Sequence, residues 1–473
     1  MNLLTFTLIF IIIFCKKRNV KDLMEFMAPI LKFLVSTEDF LWSYISAPLV
    51  LLLGFFLTFQ SNFVQIRKFP SAIYTLVSFL KDTSSHENGG VHPVKVFFAC
   101  VGGCVGIGNI VSICTAVQIG GPGAIFWIWL TAIGGMVIKY AEVYLGLRYR
   151  IANANGSFDG GPMYFLTRAF KQKWIPTFVA FLLCLYCVEI WQFKVITTSV
   201  SSNFPISEPV VVFILIALIV FATSGGVGRV GNISSAVIPI FIVLYVTMGC
   251  WILMQNLSVL PALFHEVITS AFSGHAATGG FIGSTMMLTA SQGIRRGCYT
   301  GDVGIGYASV IHSETSVKIP EKQACLVFMD IFLDSFVVCT TTILLTLITG
   351  VWNQPLDCSL LVQRALEGYF PFMNFFMPFF LFLLGYSTIN AFFCVGLKCA
   401  QFLHPTKGRP LFYVYAVSAL ILFALVDSTA AQSVMTIMGG ILLVINVIGI
   451  FKLRKEISFE IDSIKEECEL SLV

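Results

Sequence analysis

Eleven long apolar runs constrain this chain more than any other feature. Backbone inside a bilayer must satisfy its own hydrogen bonds, so runs of this kind fold as helices or closed barrels. The runs fall at approximately 41–59, 94–118, 122–146, 176–201, 209–224, 233–254, 276–297, 322–351, 373–398, 410–427 and 431–451. Most have the length of a membrane helix, not the roughly 10 residues of a barrel strand. Charged residues make up 11% of the chain and hydrophobic ones 57%, where a soluble domain carries about 25% charge. The fold class is therefore an all-α polytopic membrane protein with eleven transmembrane helices. A net charge of +4 spread among loops excludes nucleic acid as a partner. The longest polar intervals, Leu147 to Trp174 and Asn256 to His275, are too short to fold alone.

Basic residues set the sides. Arg67 and Lys68; Arg148, Arg150, Arg168, Lys171 and Lys173; Arg229; Arg295, Arg296 and Lys318; Lys398, Lys407 and Arg409; and Lys452, Arg454 and Lys455 fall in alternate loops. The positive-inside rule then places the carboxyl terminus in the cytoplasm and the amino terminus outside, as an odd number of spans requires. The expected location is a multi-pass plasma membrane protein of a bacterial inner membrane. Leu3 to Cys15 is apolar but too short for a twelfth span, and Lys16-Lys17-Arg18 follows it instead of preceding it, which makes a poor signal peptide. Residues 1–38 read as an amino-terminal extension, 39–453 as the membrane domain and 454–473 as a cytoplasmic tail.

Within that domain, Val101-Gly102-Gly103-Cys104-Val105-Gly106-Ile107-Gly108-Asn109 and Thr278-Gly279-Gly280-Phe281-Ile282-Gly283-Ser284-Thr285 share a Gly-Gly-x-x-Gly pattern. Gly102 with Gly106, and Gly279 with Gly283, also have the small-xxx-small spacing of close helix packing. Setting the first span (41–59) aside, the two stretches open spans one and six of ten. Five crossings reverse the side of the membrane, so residues 94–254 and 276–451 form a five-plus-five inverted repeat with discontinuous first and sixth core helices. Paired interrupted segments of this kind point to a binding site near the midplane of a transporter.

The run from Gly108-Asn109-Ile110 through Ile119-Gly120-Gly121-Pro122-Gly123, then Lys139-Tyr140-Ala141-Glu142, Asp159-Gly160-Gly161-Pro162-Met163-Tyr164, Ala276 to Thr285, Gly304-Ile305-Gly306 and Asp330-Ile331-Phe332-Leu333-Asp334 resembles the alanine or glycine:cation symporter family. The resemblance runs from about Asp39 to about Leu453. It implies a LeuT-like fold and a secondary active symporter that imports a small neutral amino acid, alanine or glycine, with Na+ as coupling ion and no cofactor. Free backbone groups at helix breaks can meet the charges of an amino acid zwitterion, which makes Gly106, Gly108, Gly280, Gly283 and Ser284 candidate substrate positions. The same resemblance implies one ion site from the Gly102 and Val105 carbonyls with the Ser387 and Thr388 hydroxyls, and places Asn109 in another. Ser387 and Thr388 also admit simple bonding to their own helix.

The run Thr300-Gly301-Asp302-Val303-Gly304-Ile305-Gly306 departs from the family's Ser-Asn-Glu-Ala-Gly-Leu-Gly. The third core helix carries Glu189, Gln192, Lys194, Thr197 and Thr198 where the family has an amide stripe. Intramembrane charges mark pathways or internal pairs, so Glu189, Lys194, Asp330 and Asp334 are candidates for coupling or gating, against structural pairing and, for Lys194, snorkelling. Asp330 and Asp334 share a helix face by their spacing, and Lys139 with Glu142 reads as a surface or gate salt bridge at a helix end. A transporter coupled to H+, or an exchanger, is the alternative. An integral membrane enzyme is remote, because the six His residues are scattered without ligand spacing. Cys184 and Cys187 read as ordinary small apolar residues of a helix.

Overall fold

The computed structural model describes residues 20–81, 89–153, 156–273, 285–424 and 428–461. These residues are nearly all helical. α1 runs as Val20–Leu41, a π-helical stretch Trp42–Ser46 and Ala47–Gln60, and α2 is Phe69–Lys81. α3 (Pro93–Cys104) and α4 (Ser112–Gly120) flank a short 3-10 turn, Ile107–Asn109. α5 (Ala124–Arg148) leads into a small antiparallel hairpin, β1 (Ile151–Ala152) with β2 (Phe158–Asp159). Then come α6 (Trp174–Tyr186), α7 (Ile190–Asn203), α8 (Glu208–Thr223), α9 (Gly226–Gln255), α10 (Met286–Thr300) and α11 (Tyr307–His312). α12 runs from Pro320 to Ile348 with a π-helical interior, Phe332–Cys339, and α13 (Met373–Leu403), α14 (Gly408–Ala424) and α15 (Ser428–Lys452) complete the order.

Among the described residues, seven helices are long and apolar enough to cross a membrane, and α3 with Ile107–Gly120, bent by 47°, makes an eighth. α8 and α14 are apolar but shorter, at 16 and 17 residues. The remaining expected span, 276–297, begins outside the described residues and continues as α10 to Thr300. Large apolar side chains such as Leu52, Phe213, Phe221, Ile240 and Val243 face outward. That is the inverse of a soluble surface and the form that lipid contact favours. The protein is a polytopic helical membrane protein.

Two positions correct the sequence reading of the loops. Arg295 and Arg296 are not loop residues: both lie buried in α10. Arg295 donates to Glu38 and Asp39 of α1, each at 2.7 Å, and Arg296 Nη2 lies 3.8 Å from Glu38. An acidic pair from another helix meets the guanidinium charge, which allows α10 to continue past it.

At one end of the bundle, residues from both halves of the chain interlock. Lys398 donates to Asp159 at 2.7 Å and lies 2.8 Å from Glu314, while Arg150 donates to the carbonyls of Ser313, Thr315 and Val317. Val91 pairs with Thr315 alongside them. Burial pushes the Glu314 carboxyl up, and the nearby Lys398 ammonium opposes that shift.

Candidate functional site

The polar interior is organised around three places where helices lose their regular form. The first follows α3. Val105 caps α3 with its N–H on the Val101 carbonyl (2.7 Å), and Gly106 is fully extended at φ −133°, ψ −161°. The freed donors find side chains: Asn109 Oδ1 accepts from Gly106 N–H at 2.9 Å, and Gln192 Oε1 of α7 accepts from Ile107 N–H at 3.3 Å. A buried backbone N–H without a partner is costly, so these two amides hold the junction open.

The second lies at Gly301–Gly306, between α10 and α11, where Asp302, Gly304 and Gly306 all have positive φ. Here the caps are mostly charged. Asp302 Oδ2 accepts from Ala308 N–H at 2.9 Å, Glu142 Oε1 from Ser309 N–H at 3.3 Å, and Lys139 Nζ donates to Gly301 O at 2.8 Å. Asn446 of α15 donates to Ile305 O at 2.9 Å. The Gly279–Ser284 stretch, with the candidate positions Gly280, Gly283 and Ser284, lies outside the described residues. The sequence signal for the Gly301–Gly306 junction is the Thr300–Gly306 run, with three glycines in seven residues.

A third break, Cys187–Glu189, separates α6 from α7, with Glu189 in the left-handed region at φ +53°. Its local sign is Glu189 itself, a charge in an otherwise apolar stretch that carries neither Gly nor Pro.

Several expected residues meet at the first junction. Thr388 Oγ1 donates to Gly102 O at 3.1 Å, and Ser387 Oγ lies 2.8 Å from Ser234 Oγ of α9. A Cβ added at Gly102 would lie 2.5–2.6 Å from the Ser234 and Ser387 hydroxyls, and one at Gly106 would lie 2.3 Å from Thr388 Oγ1. The glycines thus let a helix break approach a row of hydroxyls. Gly102 O, Ser234, Ser387 and Thr388 are hard, neutral oxygen donors of the kind that suits Na+. Sequence spacing does not reveal Ser234, since a Ser-Ser pair in an apolar helix does not say which hydroxyl turns inward. Gly108 packs beside Tyr299 and Thr300, so the first two junctions adjoin. Gly103 has a packing role: a Cβ there would clash with Tyr307, whose hydroxyl donates to Ala99 O at 2.8 Å.

Asn109 joins this junction to α12. Its Nδ2 donates to Asp334 Oδ1, and Asp334 Oδ2 accepts from Ser335 at 2.8 Å and Thr300 at 3.3 Å. Asp330, one turn away, has a different partner. Lys139 Nζ lies 2.6 Å from Asp330 Oδ2 and 3.1 Å from Cys104 Sγ, and all three residues are buried. This corrects the expected Lys139–Glu142 surface bridge: Lys139 is central and fully desolvated, and its partner comes from α12. Cys100, Cys104 and Asp330 have ligand atoms close enough to hold a metal, but the Lys139 ammonium supplies a cation to that cluster.

Glu189 and Lys194 do not meet. Glu189 Oε2 accepts from Gln192 at 3.0 Å and Tyr299 at 3.3 Å, deep in the interior. Lys194 reaches the rim of the bundle, where it donates to Glu208 at 2.9 Å and Ala424 O at 2.6 Å. Its long stem lets the charge leave the apolar interior. Cys184 and Cys187 are both buried, and Cys184 donates weakly to Gly396 O at 3.5 Å.

Residues 24–469 match the sodium:alanine symporter family. The chain is 31% identical over 434 residues to an uncharacterized transporter of Haemophilus influenzae, covering 90% of this chain and 94% of that protein. It is 28% identical to a sodium/alanine symporter of Methanococcus maripaludis, over 92% of this chain and 97% of the relative. It is also 28% identical to a probable sodium/glutamine symporter of Bacillus subtilis, over 91% and 90%.

Proposed function

Because this chain belongs to the sodium:alanine symporter family, a family of transporters and not enzymes, we propose that it imports a small neutral amino acid, alanine or glycine, together with Na+ by alternating access. In this reading eleven spans cross the membrane, ten of them as a LeuT-like five-plus-five inverted repeat, with the amino terminus outside and the carboxyl terminus in the cytoplasm of a bacterial inner membrane.

One observation carries the reading. A bent, glycine-lined helix break brings the Gly102 carbonyl against Thr388 and beside Ser387 and Ser234, with no charged side chain in the oxygen row. Na+ entering there would exchange its hydration for these oxygens, while the backbone groups of Gly106 and Gly108 face the zwitterion. Asn109 links the junction to α12 and would sense occupancy there. Rocking of one helix group against the other about the junctions would alternate access.

Coupling to H+ is the second reading. It is favoured by the bare oxygens Glu142 Oε2 and Asp302 Oδ1, buried without hydrogen-bond partners, where a transported proton would find an acceptor. The deciding experiment is uptake of labelled alanine, glycine and a panel of neutral amino acids into proteoliposomes under an imposed Na+ gradient, an H+ gradient or none. Saturable, Na+-driven uptake of alanine or glycine is the expected result. Absence of saturable uptake of any amino acid under every gradient would overturn the proposal.

A further inference from the structure

Glu189 is a buried carboxyl group that forms no ion pair among the described residues. Its side chain is 1% exposed. Both of its hydrogen bonds come from neutral donors, Gln192 Nε2 and the Tyr299 hydroxyl, and both fall on Oε2, which leaves Oε1 free. The basic residue nearest in sequence, Lys194, is held by Glu208 and Ala424 O. Of the two arginines of α10, Arg295 bonds to Glu38 and Asp39, and Arg296, whose Nη2 lies 3.8 Å from Glu38, is in no ion pair with Glu189. A buried carboxylate is strongly unfavourable unless a cation or a proton joins it.

The two groups that hold Glu189 also line the first junction. Gln192 Oε1 caps Ile107 N–H, and a Cβ at Gly108 would lie 3.4 Å from Tyr299 Cε1. Glu189 therefore sits one side chain behind the backbone proposed to face the zwitterion. A group at that remove is placed to meet a substrate's side chain, since the α-ammonium and α-carboxylate are met by the junction itself.

We infer that Glu189 is a specificity-determining residue whose free Oε1 pairs with a short cationic side chain, so that the protein accepts diamino acids in preference to neutral amino acids of the same length. The inference rests on the amino acid symporter reading and adds a substrate class to it.

The test is competition. Proteoliposomes holding the full-length protein take up labelled alanine under a Na+ gradient in the presence of unlabelled 2,4-diaminobutyrate, ornithine or lysine, or of their respective neutral isosteres norvaline, norleucine and 2-aminoheptanoate. The expected result is that at least one diamino acid inhibits at a concentration at least about tenfold below its neutral isostere, as a desolvated charge pair implies. Glu189→Gln should erase that ratio and Glu189→Asp should keep part of it, with folded yield followed by size-exclusion chromatography. A merely structural Glu189 would lower total uptake without moving the ratio.

Neutral isosteres that compete as well as the diamino acids in the wild-type protein would overturn the inference without any variant. So would alanine uptake that falls with rising pH in the wild type and loses that dependence in Glu189→Gln, since Glu189 would then carry a proton. Failure to transport any amino acid under a Na+ gradient would instead sink the symporter reading itself.

Discussion

The two junctions solve the same problem with different chemistry. Each interrupts a helix inside the membrane domain, and each must cap the backbone groups it frees. The Val105–Asn109 junction uses neutral amides and hydroxyls from Asn109, Gln192 and Thr388. The Gly301–Gly306 junction uses Lys139, Glu142 and Asp302 with one amide, Asn446. Neutral caps hold a junction weakly and can exchange partners with an ion or a substrate. Buried charges cannot separate without stranding one of the pair. The difference suggests a working junction packed against one that anchors it.

The sharpest way to break this comparison is Lys139→Met, which leaves the Asp330 carboxylate buried without its cation. A loss of about 3–5 kcal/mol is expected, read as a collapse of folded yield and thermal stability in detergent. Asp330→Asn added to Lys139→Met should recover much of it. A well-folded single variant would show that the second junction is no anchor.

Gly106→Leu attacks the other side. Its side chain would displace Thr388 and Gln192 from the first junction, so uptake should fall to background while insertion and folded yield stay near wild type, because extended backbone at negative φ accepts any side chain and the atoms displaced are side-chain ends. Loss of folded protein would instead make the first junction a packing element like Gly103.

A smaller effect is expected from Ser387→Ala combined with Thr388→Ala. With two oxygen ligands removed, the Na+ concentration for half-maximal uptake should rise about tenfold, equivalent to about 1.4 kcal/mol. An unchanged Na+ dependence would return both hydroxyls to helix bonding.

The smallest change should come from Lys194→Met. Its bridge to Glu208 is at the rim, with relative exposures of 16% and 39%, and such pairs contribute about 0–1 kcal/mol. A large loss of uptake would give Lys194 a part in the mechanism that its contacts do not suggest.

Much of this architecture is legible in local sequence. Apolar runs place the helices, and the Gly102–Asn109 stretch marks its own junction, because glycine and asparagine supply both the weak helix and a cap. Glu189 and Lys194 stand out as intramembrane charges, yet spacing alone cannot say that one turns inward to Tyr299 and the other outward to Glu208. Arg295 and Arg296 mislead a loop count for the same reason. The acidic partners of Arg295 lie 256 and 257 residues away, and without those partners two arginines read as a loop.

The sequence by itself determined the membrane class, the positions of most helices and one helix break, since each depends on residues within a few turns of one another. Only the tertiary structure decided which buried charges are satisfied and that the chain also breaks at Gly301–Gly306. Lys139 meets Asp330 across 191 residues and Asn109 meets Asp334 across 225. In a low-dielectric interior, a charge or an amide is tolerated only where packing supplies its partner, and no local pattern of residues records that partner.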